Sequence, residues 1–399
     1  MFNFANDFFD PSHEHIMIRK LTKEFALKQL MPTALKRDKE EYFDRNLFNQ
    51  LGDLGLLGVC APEEYGGSNM DAVACIIVHE ELSFADSGFC LAYLAHSVLC
   101  VNNIAKNASK EQKLKYLPKL LTGEWLGAMA MSEPHAGTDV LGMSTKAIKN
   151  NDKYFINGRK MWITNGVADE DKTPCDVVYL YAKTSDSNKK NISSFIIEKG
   201  QSGFFVGQKL TDKLGMRASN TAELVFDNCE VPIGQLVGQE GESMLHMMRN
   251  LEIERLALAA MALGIAKRCL DIMNQYATQR EAFGQSINNF GQIKKYLAQS
   301  YAQFKSVKAF VYLTAHNLNL GQNNKRIDSD AAKLLASSMA KEVADKAIQV
   351  LGGYGYMGEY VVERMWRDAK LLEIGGGTIE AHEKNIAQDL ARNHNAIFE

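Results

Sequence analysis

One carboxylate is notable because it projects from an otherwise apolar helix face. The segment LEIERLALAAMALG contains Glu254, which at helical spacing shares a face with Leu251, Leu258 and Met261. Glu252 points about 200° round the helix from it. Burial raises the pKa of a carboxyl group, and a carboxylate with a raised pKa is a competent general base near neutral pH. A buried glutamate paired with a neighbouring arginine, or a surface residue, is the structural alternative.

Two further segments favour the binding of a flat or phosphate-bearing ligand. The loop AMAMSEPHAGTDV, residues 128–140, is rich in small and hydroxyl residues and is typical of loops that present backbone donors. The segment KMWITNG, residues 160–166, places Trp162 near the end of a predicted strand, where its ring can pack on a flavin. An ordinary loop and a core tryptophan are the alternatives.

Two glycine-rich segments lie near the C-terminal end. The segment VLGGYGYMGEY, 350–360, contains G-x-G-x-x-G from Gly353, but a dinucleotide fold requires a strand before it and a helical pattern precedes it here. We therefore predict only a turn that lets a phosphate-bearing ligand approach the backbone. The segment LLEIGGGTIEAHE, 371–383, places Thr378 at the start of a helix, where its hydroxyl and the helix N-terminus offer donors to an anion. A plain capping turn explains this pattern equally well.

Composition excludes several classes of protein. The 399 residues are 46% hydrophobic and 23% charged, an ordinary globular balance for two or three domains, and the net charge of −3 argues against a nucleic-acid binder. The seven cysteines and nine histidines form no CxxC or HExxH pattern, so we expect free thiols in a reducing compartment and no metal site. A leader pattern and an apolar run of membrane length are both missing, so we expect a cytoplasmic protein outside the membrane; a mature mitochondrial form would look the same.

The hydrophobic pattern changes twice along the chain. Residues 1–124 are helical in pattern, 125–235 contain short β-rich runs such as DVVYLYA and AELVF, and 236–399 are helical again. The segment 251–271 is apolar on most faces, as expected of a helix inside a bundle. The segment 332–351 repeats apolar residues at a spacing of four and ends at two glycines. The predicted fold class is α+β, with an N-terminal helical domain, a middle β-barrel or sandwich domain and a C-terminal four-helix bundle.

Six segments occur in the order seen in the acyl-CoA dehydrogenase family, and the chain resembles that family over essentially its whole length. They are AMSEPHAGTDV, KMWITNG, DKLGMRASNTAELVFDNCEVP, QREAFGQSI, QVLGGYGYMGE and RDAKLLEIGGGTIE. The segments AHSVLC and EQKLKYLPKLLTGE and the LEIERL helix look closest to the isovaleryl-CoA dehydrogenase branch. The resemblance implies an FAD enzyme that removes two hydrogens from a short branched acyl-CoA, above all isovaleryl-CoA in leucine degradation. It also implies a homotetramer that passes electrons to electron-transferring flavoprotein.

The resemblance further implies which residues contact FAD. In this family the β-domain loop holds the flavin, and the next strand lies beside the isoalloxazine ring. An arginine and a glycine turn reach the pyrophosphate and adenylate ends across a subunit interface. The matching positions are Met129, Met131, Ser132, Gly137 and Thr138 in the loop, Trp162, Ile163 and Thr164 on the strand, Arg280, Phe283, Gln349, Gly352 and Gly353 at the interface, and Thr378 and Glu380 near the C-terminus.

The catalytic base is where this chain differs from most of the family. Most members carry a glutamate in the loop that matches residues 375–378, in a Tyr-Glu-Gly-Thr context, but this chain has Gly376 there. The isovaleryl branch places its base on the helix at the position of Glu254, so the resemblance implies that Glu254 removes the α-proton. The glycines also leave room for a branched acyl chain. The positions that match substrate-binding residues are Leu94, Thr138, Leu245, Arg255, Gly375 and Gly376.

Two of these positions depart from the isovaleryl branch, which usually has Gly at Leu94 and Tyr at Leu245. Leu94 would shrink the pocket and Leu245 lacks a hydroxyl, so another short or 2-methyl-branched acyl-CoA stays open as the substrate. Oxygen chemistry in the same fold, as in flavin oxidases and monooxygenases, is a rival interpretation, and so is a non-catalytic DNA-binding branch. The glutamate at the base position favours dehydrogenation, and the net charge speaks against DNA.

Overall fold

Helices form the first third of the chain in the computed structural model, which describes residues 8–185, 191–320 and 326–392. The carboxylates of Asp71 and Asp86 accept hydrogen bonds from backbone N–H groups three residues later, and these caps start two of the helices. The helices are α1 His13–Phe25, α2 Ala34–Glu40, α3 Arg45–Asp53, α4 Ala72–Ala85, α5 Ser87–Leu94, α6 Asn102–Asn107 and α7 Lys110–Leu121.

The stretch Ser87–Asn107 is long and apolar enough to cross a membrane, with a mean hydropathy of 1.4. Inside the fold, however, 78% of its most apolar part is buried. A π-helical segment, Ala95–Val101, joins α5 to α6. A helix that is apolar on all faces belongs in the interior of a protein. This one packs in the core against the helix Ser243–Gln279 and against the sheet described below.

The middle of the chain folds into a mixed sheet of eight strands. They are β1 Gly127–Ala130, β2 Lys146–Asn150, β3 Lys153–Thr164, β4 Val177–Lys183, β5 Ile192–Glu198, β6 Phe204–Lys209, β7 Thr221–Pro232 and β8 Leu236–Val237. The strand order is β6-β7-β3-β2-β4-β5-β8, and β1 pairs in parallel with β4. The sequence pattern predicts β3 to β7 but not β1 and β2, because GAMA has no β-branched residue and KAIKN has only Ile148. The polar turn predicted at 184–191 lies largely outside the described residues.

Five helices follow in the described part of the chain. They are α8 Ser243–Gln279, α9 Gly291–Asn317, α10 Arg326–Leu351, α11 Val362–Leu372 and α12 Ile379–Arg392, with a hairpin at Glu281–Ala282 and Gln285–Ser286 between the first two. Every residue from Glu252 to Ala266 is buried, since α8 packs against α4, α9, α10 and α11. The helix is longer at both ends than the predicted 251–271. The predicted α+β class, with helical, β and helical domains in this order, is confirmed.

Candidate active site

The carboxylate of Glu254 lies inside the fold with one oxygen unpaired. The residue is only 6% exposed, and its Oε2 atom has no hydrogen-bond partner in the described part of the chain. Leu258 and Met261 bury the same face of α8, as predicted. Burial raises the pKa of Glu254 to about 7, while the positive charges of Arg255 and Lys333 oppose that rise. A carboxyl group with this pKa is partly ionised near neutral pH, as a general base must be.

A glycine turn at residues 375–377 lies directly against this carboxylate. Gly376 and Gly377 have φ angles of +66° and +104°, a backbone conformation that favours glycine. A Cβ atom on Gly376 would lie 2.2 Å from Cδ1 of Leu258 and 3.4 Å from Oε1 of Glu254. A side chain at position 376 would therefore collide with α8. The packing of Glu254 and Leu258 on the helix therefore requires glycine at position 376 of the turn.

A cluster of buried polar side chains supports the turn. Nζ of Lys333, on α10, donates to the carbonyl oxygen of Gly377 at 2.6 Å, and Nε2 of His382, on α12, donates to the same oxygen at 3.1 Å. Nδ1 of His382 lies 2.5 Å from Oδ1 of Asp330, whose Oδ2 lies 3.3 Å from Nη1 of Arg255. Burial lowers the pKa of Lys333 to about 8 and lowers the pKa of His382 as well. Lys333, Asp330 and His382 are each 0% exposed, so the whole cluster is shielded from solvent.

The predicted substrate-binding residues lie in different environments. Arg255 is buried beside the base, whereas Thr138 is exposed in its loop. Leu94 is buried at the end of α5, and Leu245 is exposed in the first turn of α8. Leu245 precedes Glu254 by nine residues, which is about 13 Å along the helix axis. The structure thus brings Arg255 and the glycine turn to Glu254 and leaves Leu245 well away from it.

A buried ion pair fixes the loop at 131–138 onto β3. Nζ of Lys160 donates to Oε1 of Glu133 and to the carbonyl oxygen of Met131, both at 2.9 Å. Glu133 also accepts hydrogen bonds from two backbone N–H groups of the segment that follows the loop. Burial lowers the pKa of Lys160 to about 8. Burial alone would raise the pKa of Glu133, but the charge of Lys160 and the backbone donors lower it to about 2, so the pair is ionised and holds the loop in place.

Trp162 has an unusual backbone conformation next to that loop. Its φ is +60°, and it lies in a bulge where the β3–β7 register shifts between Lys160 and Ile163. The tryptophan is 56% exposed, while Ile163 is buried. The backbone N–H of Met161 donates to the carbonyl oxygen of Ser132 at 2.9 Å, which joins the bulge to the loop. The bulge therefore turns a large aromatic ring outward and gives a flat ligand a face on which to pack.

The other residues predicted at this edge lie at the end of β1, in the loop and at the end of β3, and they differ in exposure. Met129, Met131, Ser132 and Thr164 are half-buried, and Gly137 and Thr138 are exposed. An isoalloxazine ring takes hydrogen bonds at its edge and apolar contacts on its faces. Hydroxyl and backbone groups beside an outward-facing indole provide both, so the residues present fit that group.

A second set of predicted cofactor residues forms an exposed surface at the far end of α8. The rings of Tyr276, Tyr354 and Tyr360 pack together and join the end of α8 to the turn after α10. Arg280 follows Glu254 by 26 residues, about 39 Å along the helix axis. The predicted residues at the end of α8 and in the turn after α10 therefore lie at the same end of the helix, which is the end far from Glu254. The exposed members are Arg280, Phe283, Gln349, Gly352 and Gly353.

Thr378 lies between the glycine turn and α12. Its Oγ1 accepts a hydrogen bond from the backbone N–H of Ala381 at 3.2 Å, so the threonine caps the helix as the capping alternative predicts. Glu380 is exposed in the first turn of that helix. The two residues border the active-site turn without contacting Glu254.

The supporting residues of the site are not predicted from the sequence. The sequence could have indicated Lys333, because a lysine among apolar residues on a buried helix face is costly unless it is paired. Asp330 and His382 are 52 residues apart, and Glu133 and Lys160 are 27 apart, so no local pattern connects either pair. Such contacts become visible only when the tertiary fold is known.

Comparisons with known proteins agree with this architecture. Residues 12–124 match the family domain described as "Acyl-CoA dehydrogenase, N-terminal domain", 128–229 match the middle domain, and 244–391 match the C-terminal domain. The chain therefore belongs to the acyl-CoA dehydrogenase family, whose members are flavoprotein oxidoreductases that act on the CH–CH group of acyl-CoA.

Individual relatives align with nearly the whole chain. The mitochondrial isovaleryl-CoA dehydrogenase of Oryza sativa subsp. japonica is 44% identical over 96% of this chain and 92% of that protein. The mitochondrial 2-methylacyl-CoA dehydrogenase of Solanum tuberosum is 42% identical over 93% of this chain and 89% of that protein. Among solved structures, butyryl-CoA dehydrogenase from Megasphaera elsdenii has a TM-score of 0.91 and 37% identity over 96% of this chain and 99% of that chain. The predicted family and enzyme class are confirmed, and these relatives differ in the acyl-CoA that they are named for.

Proposed function

We propose that this enzyme dehydrogenates a short branched acyl-CoA, with isovaleryl-CoA as its preferred substrate and 3-methylcrotonyl-CoA as the product. The proposal depends above all on one observation, the buried and partly unpaired carboxylate of Glu254 against a glycine turn that has no carboxylate of its own. A base on the helix and a turn without side chains suit a substrate that is bulky near its reacting carbons. The resemblance to the isovaleryl branch points in the same direction.

Glu254 removes the α-proton of the bound thioester. Its Oε2 atom is buried and has no hydrogen-bond partner in the described part of the chain, so that atom can accept the proton. The positive charges of Arg255 and Lys333 limit the rise in the pKa of Glu254, and they therefore keep a useful fraction of it ionised near pH 7. The neutral acid that results is the form that burial favours, which assists the transfer.

The negative charge that develops on the thioester carbonyl oxygen needs hydrogen-bond donors. The glycine turn is the nearest source of backbone N–H groups. The hydrogen bonds that close the turn use the N–H groups of Gly375 and Ile379, so those of Gly376 and Gly377 are the candidates for this role. Because a Cβ atom on Gly376 would meet Leu258 and one on Gly377 would meet His382, the volume that a branched acyl chain requires does not come from the side-chain positions of these two glycines.

FAD is proposed to bind at the edge formed by the loop of 131–138 and Trp162. When bound it would accept the β-hydrogen as hydride, which no side chain can do. The exposed surface around Arg280 and Gly352 is proposed to hold the pyrophosphate and adenylate of an FAD in a neighbouring subunit of a homotetramer. Electrons would leave to electron-transferring flavoprotein. The seven unpaired cysteines support the expectation of a reducing, cytoplasm-like compartment.

Anaerobic bleaching of the flavin with a panel of acyl-CoAs tests the proposal. The panel contains isovaleryl-CoA, 2-methylbutyryl-CoA, isobutyryl-CoA and butyryl-CoA at saturating concentration. Isovaleryl-CoA is expected to bleach the flavin fastest and to give 3-methylcrotonyl-CoA. Faster bleaching by butyryl-CoA would contradict the branched-chain assignment, and rapid peroxide release when the reduced enzyme meets oxygen in a stopped-flow mixer would favour an oxidase.

A 2-methyl-branched acyl-CoA is a second candidate substrate. The Solanum tuberosum relative named 2-methylacyl-CoA dehydrogenase is almost as similar as the isovaleryl enzyme of Oryza sativa. Leu94, where the isovaleryl branch usually has glycine, would also alter the shape of the pocket. The same panel separates the two candidates, because kcat/KM for 2-methylbutyryl-CoA would then exceed that for isovaleryl-CoA.

A further inference from the structure

Two buried donors converge on one backbone oxygen beside the base. Lys333 Nζ and His382 Nε2 lie 2.6 Å and 3.1 Å from the carbonyl oxygen of Gly377, and they come from two different helices, α10 and α12. A carbonyl oxygen has two lone pairs, so the two donors satisfy it completely. The peptide group that follows Gly377 is therefore held from both sides.

That peptide group controls the direction of the turn. Gly376 and Gly377 have no side chains to restrict their backbones, and glycine explores more φ and ψ angles than any other residue. A turn with two such residues is flexible unless other contacts restrict it. Its own closing bonds involve Gly375 and Ile379, on either side of the two glycines. The two bonds to the Gly377 oxygen are thus the ones that fix the middle of the turn.

We propose that Lys333 and His382 are positioning residues that hold the glycine turn so that its N–H groups meet the carbonyl oxygen of the bound acyl-CoA. This inference rests on the proposed function, because it assigns those N–H groups to the developing negative charge. Neither side chain contacts the substrate. Their effect is to keep the donors in place before the proton moves, which is where preorganised hydrogen bonds act most strongly.

Asp330 and Arg255 complete the arrangement. Oδ1 of Asp330 faces Nδ1 of His382 at 2.5 Å, and this contact orients the imidazole so that Nε2 points at the Gly377 oxygen. Arg255 lies against Oδ2 of the same aspartate and balances its charge. Because a carboxylate and a carbonyl oxygen both accept, the two contacts are complete when both ring nitrogens carry a proton, and Asp330 is then the counter-charge of the imidazolium form. The cluster therefore connects the residue next to the base on α8 with the turn that faces the base.

Two substitutions of one residue separate the hydrogen bond to the turn from the hydrogen bond to Asp330. In His382→Asn the amide can replace Nδ1 and bond Asp330, but it does not reach the Gly377 oxygen, which keeps only the hydrogen bond from Lys333. In His382→Gln the longer amide can replace Nε2 and bond the Gly377 oxygen. Both variants are neutral and similar in size, so the comparison is one of geometry. We expect kcat to fall about tenfold in His382→Asn and to stay near the wild-type value in His382→Gln.

Lys333→Met removes the other donor and keeps the length of the side chain. We expect kcat to fall about tenfold to a hundredfold, as for loss of a hydrogen bond from a charged group, with little change in KM. Because the two donors share one oxygen, the Lys333→Met/His382→Asn double variant should lose more than the product of the single effects. Lys346→Met is the matched control, since Lys346 lies on the same helix and pairs with Glu342 one turn away.

Two readouts other than turnover complete the test. Acetoacetyl-CoA is a probe whose bound enolate is followed by ultraviolet absorbance, and its apparent pKa should rise in His382→Asn and Lys333→Met but not in His382→Gln. Amide hydrogen exchange at residues 375–379 should become faster in the same two variants. Unchanged kcat, enolate formation and exchange in these variants would overturn the inference. If none of the acyl-CoAs bleaches the flavin of the wild-type enzyme, the proposed function fails. The exchange rates still decide in that case whether the two side chains hold the turn.

Discussion

Two buried glutamates in this fold have opposite electrostatic environments. Glu80, on α4, is as inaccessible as Glu254, but Nζ of Lys308 donates to its Oε1 at 2.6 Å and the hydroxyl of Tyr312 donates to its Oε2 at 2.5 Å. Nη1 of Arg19 lies 3.5 Å from the same Oε2. Burial raises the pKa of any carboxyl group, yet the positive charges of Lys308, Arg19 and Lys267 lower the pKa of Glu80 to about 2, whereas burial raises the pKa of Glu254 to about 7.

The difference shows that burial alone does not determine what a carboxylate does. Glu80 joins α1, α4 and α9 through Arg19, Lys308 and Tyr312, so its charge serves the assembly of the helices. Glu254 keeps one oxygen unpaired, an arrangement that adds nothing to stability and leaves the group able to take a proton. The same side chain is thus a fixed anion in one place, and in the other it keeps the unpaired oxygen that the proposed base requires.

Replacement of the unpaired glutamate tests the comparison most severely. In Glu254→Gln, bleaching by acyl-CoA should slow by about 10²–10⁴-fold, the range expected for loss of a general base. The variant should keep its FAD and its thermal midpoint, because a neutral amide suits the buried position. Flavin absorbance and differential scanning calorimetry measure both properties. Normal turnover in this variant would show that the base lies elsewhere.

The same substitution at the paired glutamate should have the reverse outcome. Glu80→Gln leaves Lys308 buried without its counter-charge, whereas Arg19 keeps Asp10 and Glu81, and loss of one partner of a buried ion pair costs about 3–5 kcal/mol of stability. Urea unfolding measures the loss. Turnover per bound flavin should stay near the wild-type value. A variant that loses turnover but keeps its stability would remove the distinction between the two glutamates.

The sequence predicts the reactive glutamate better than the structural one, for a physical reason. Glu254 is evident because it interrupts an apolar stripe on a single helix, and the periodicity of one helix is local information. Glu80 lies in ACIIVHEELS, and its partners are 228 and 232 residues away on α9. The order of helical, β and helical domains also follows from local patterns.

The positions of the supporting side chains do not follow from such patterns. Lys333 reaches Gly377 across 44 residues of sequence, and the Trp162 bulge depends on how β3 pairs with β7. The strands β1 and β2 are set by pairing rather than by propensity, since their sequences are ordinary in composition. Residues that act through long-range contacts must be read from the fold.

The pH dependence should differ in sign between the two glutamates. Burial raises the pKa of Glu254 from its ordinary value of 4.5 to about 7 in the folded enzyme, so kcat/KM should fall about tenfold per pH unit below 7. Its contribution to stability is complete below pH 4.5 and is lost as the pH rises through 7. Glu80 has a pKa of about 2 in the folded enzyme. Its contribution to stability is complete above pH 4.5 and is lost as the pH falls through 2.

Urea midpoints between pH 4 and pH 8 for the wild type, Glu254→Gln and Glu80→Gln would resolve these contributions. The difference in urea midpoint between Glu254→Gln and the wild type should change between pH 4.5 and pH 7. The difference in urea midpoint between Glu80→Gln and the wild type should stay constant over the same range. A kcat/KM profile without a break near pH 7 would contradict the raised pKa of the base.

The smallest effect is expected on the exposed face of α8. If the unpaired state of Glu254 controls the chemistry, Leu245→Tyr should leave kcat unchanged, because residue 245 is exposed and about 13 Å from the base along the helix. A new hydroxyl that bonds the bound acyl-CoA would lower KM by about 2–10-fold, the range for one hydrogen bond. Leu245→Phe adds the ring without the hydroxyl and is the control, with steady-state kinetics on isovaleryl-CoA as the measurement. A change in kcat with either residue would mean that the first turn of α8 and the base are coupled, and that the environment of Glu254 extends beyond the side chains that enclose it.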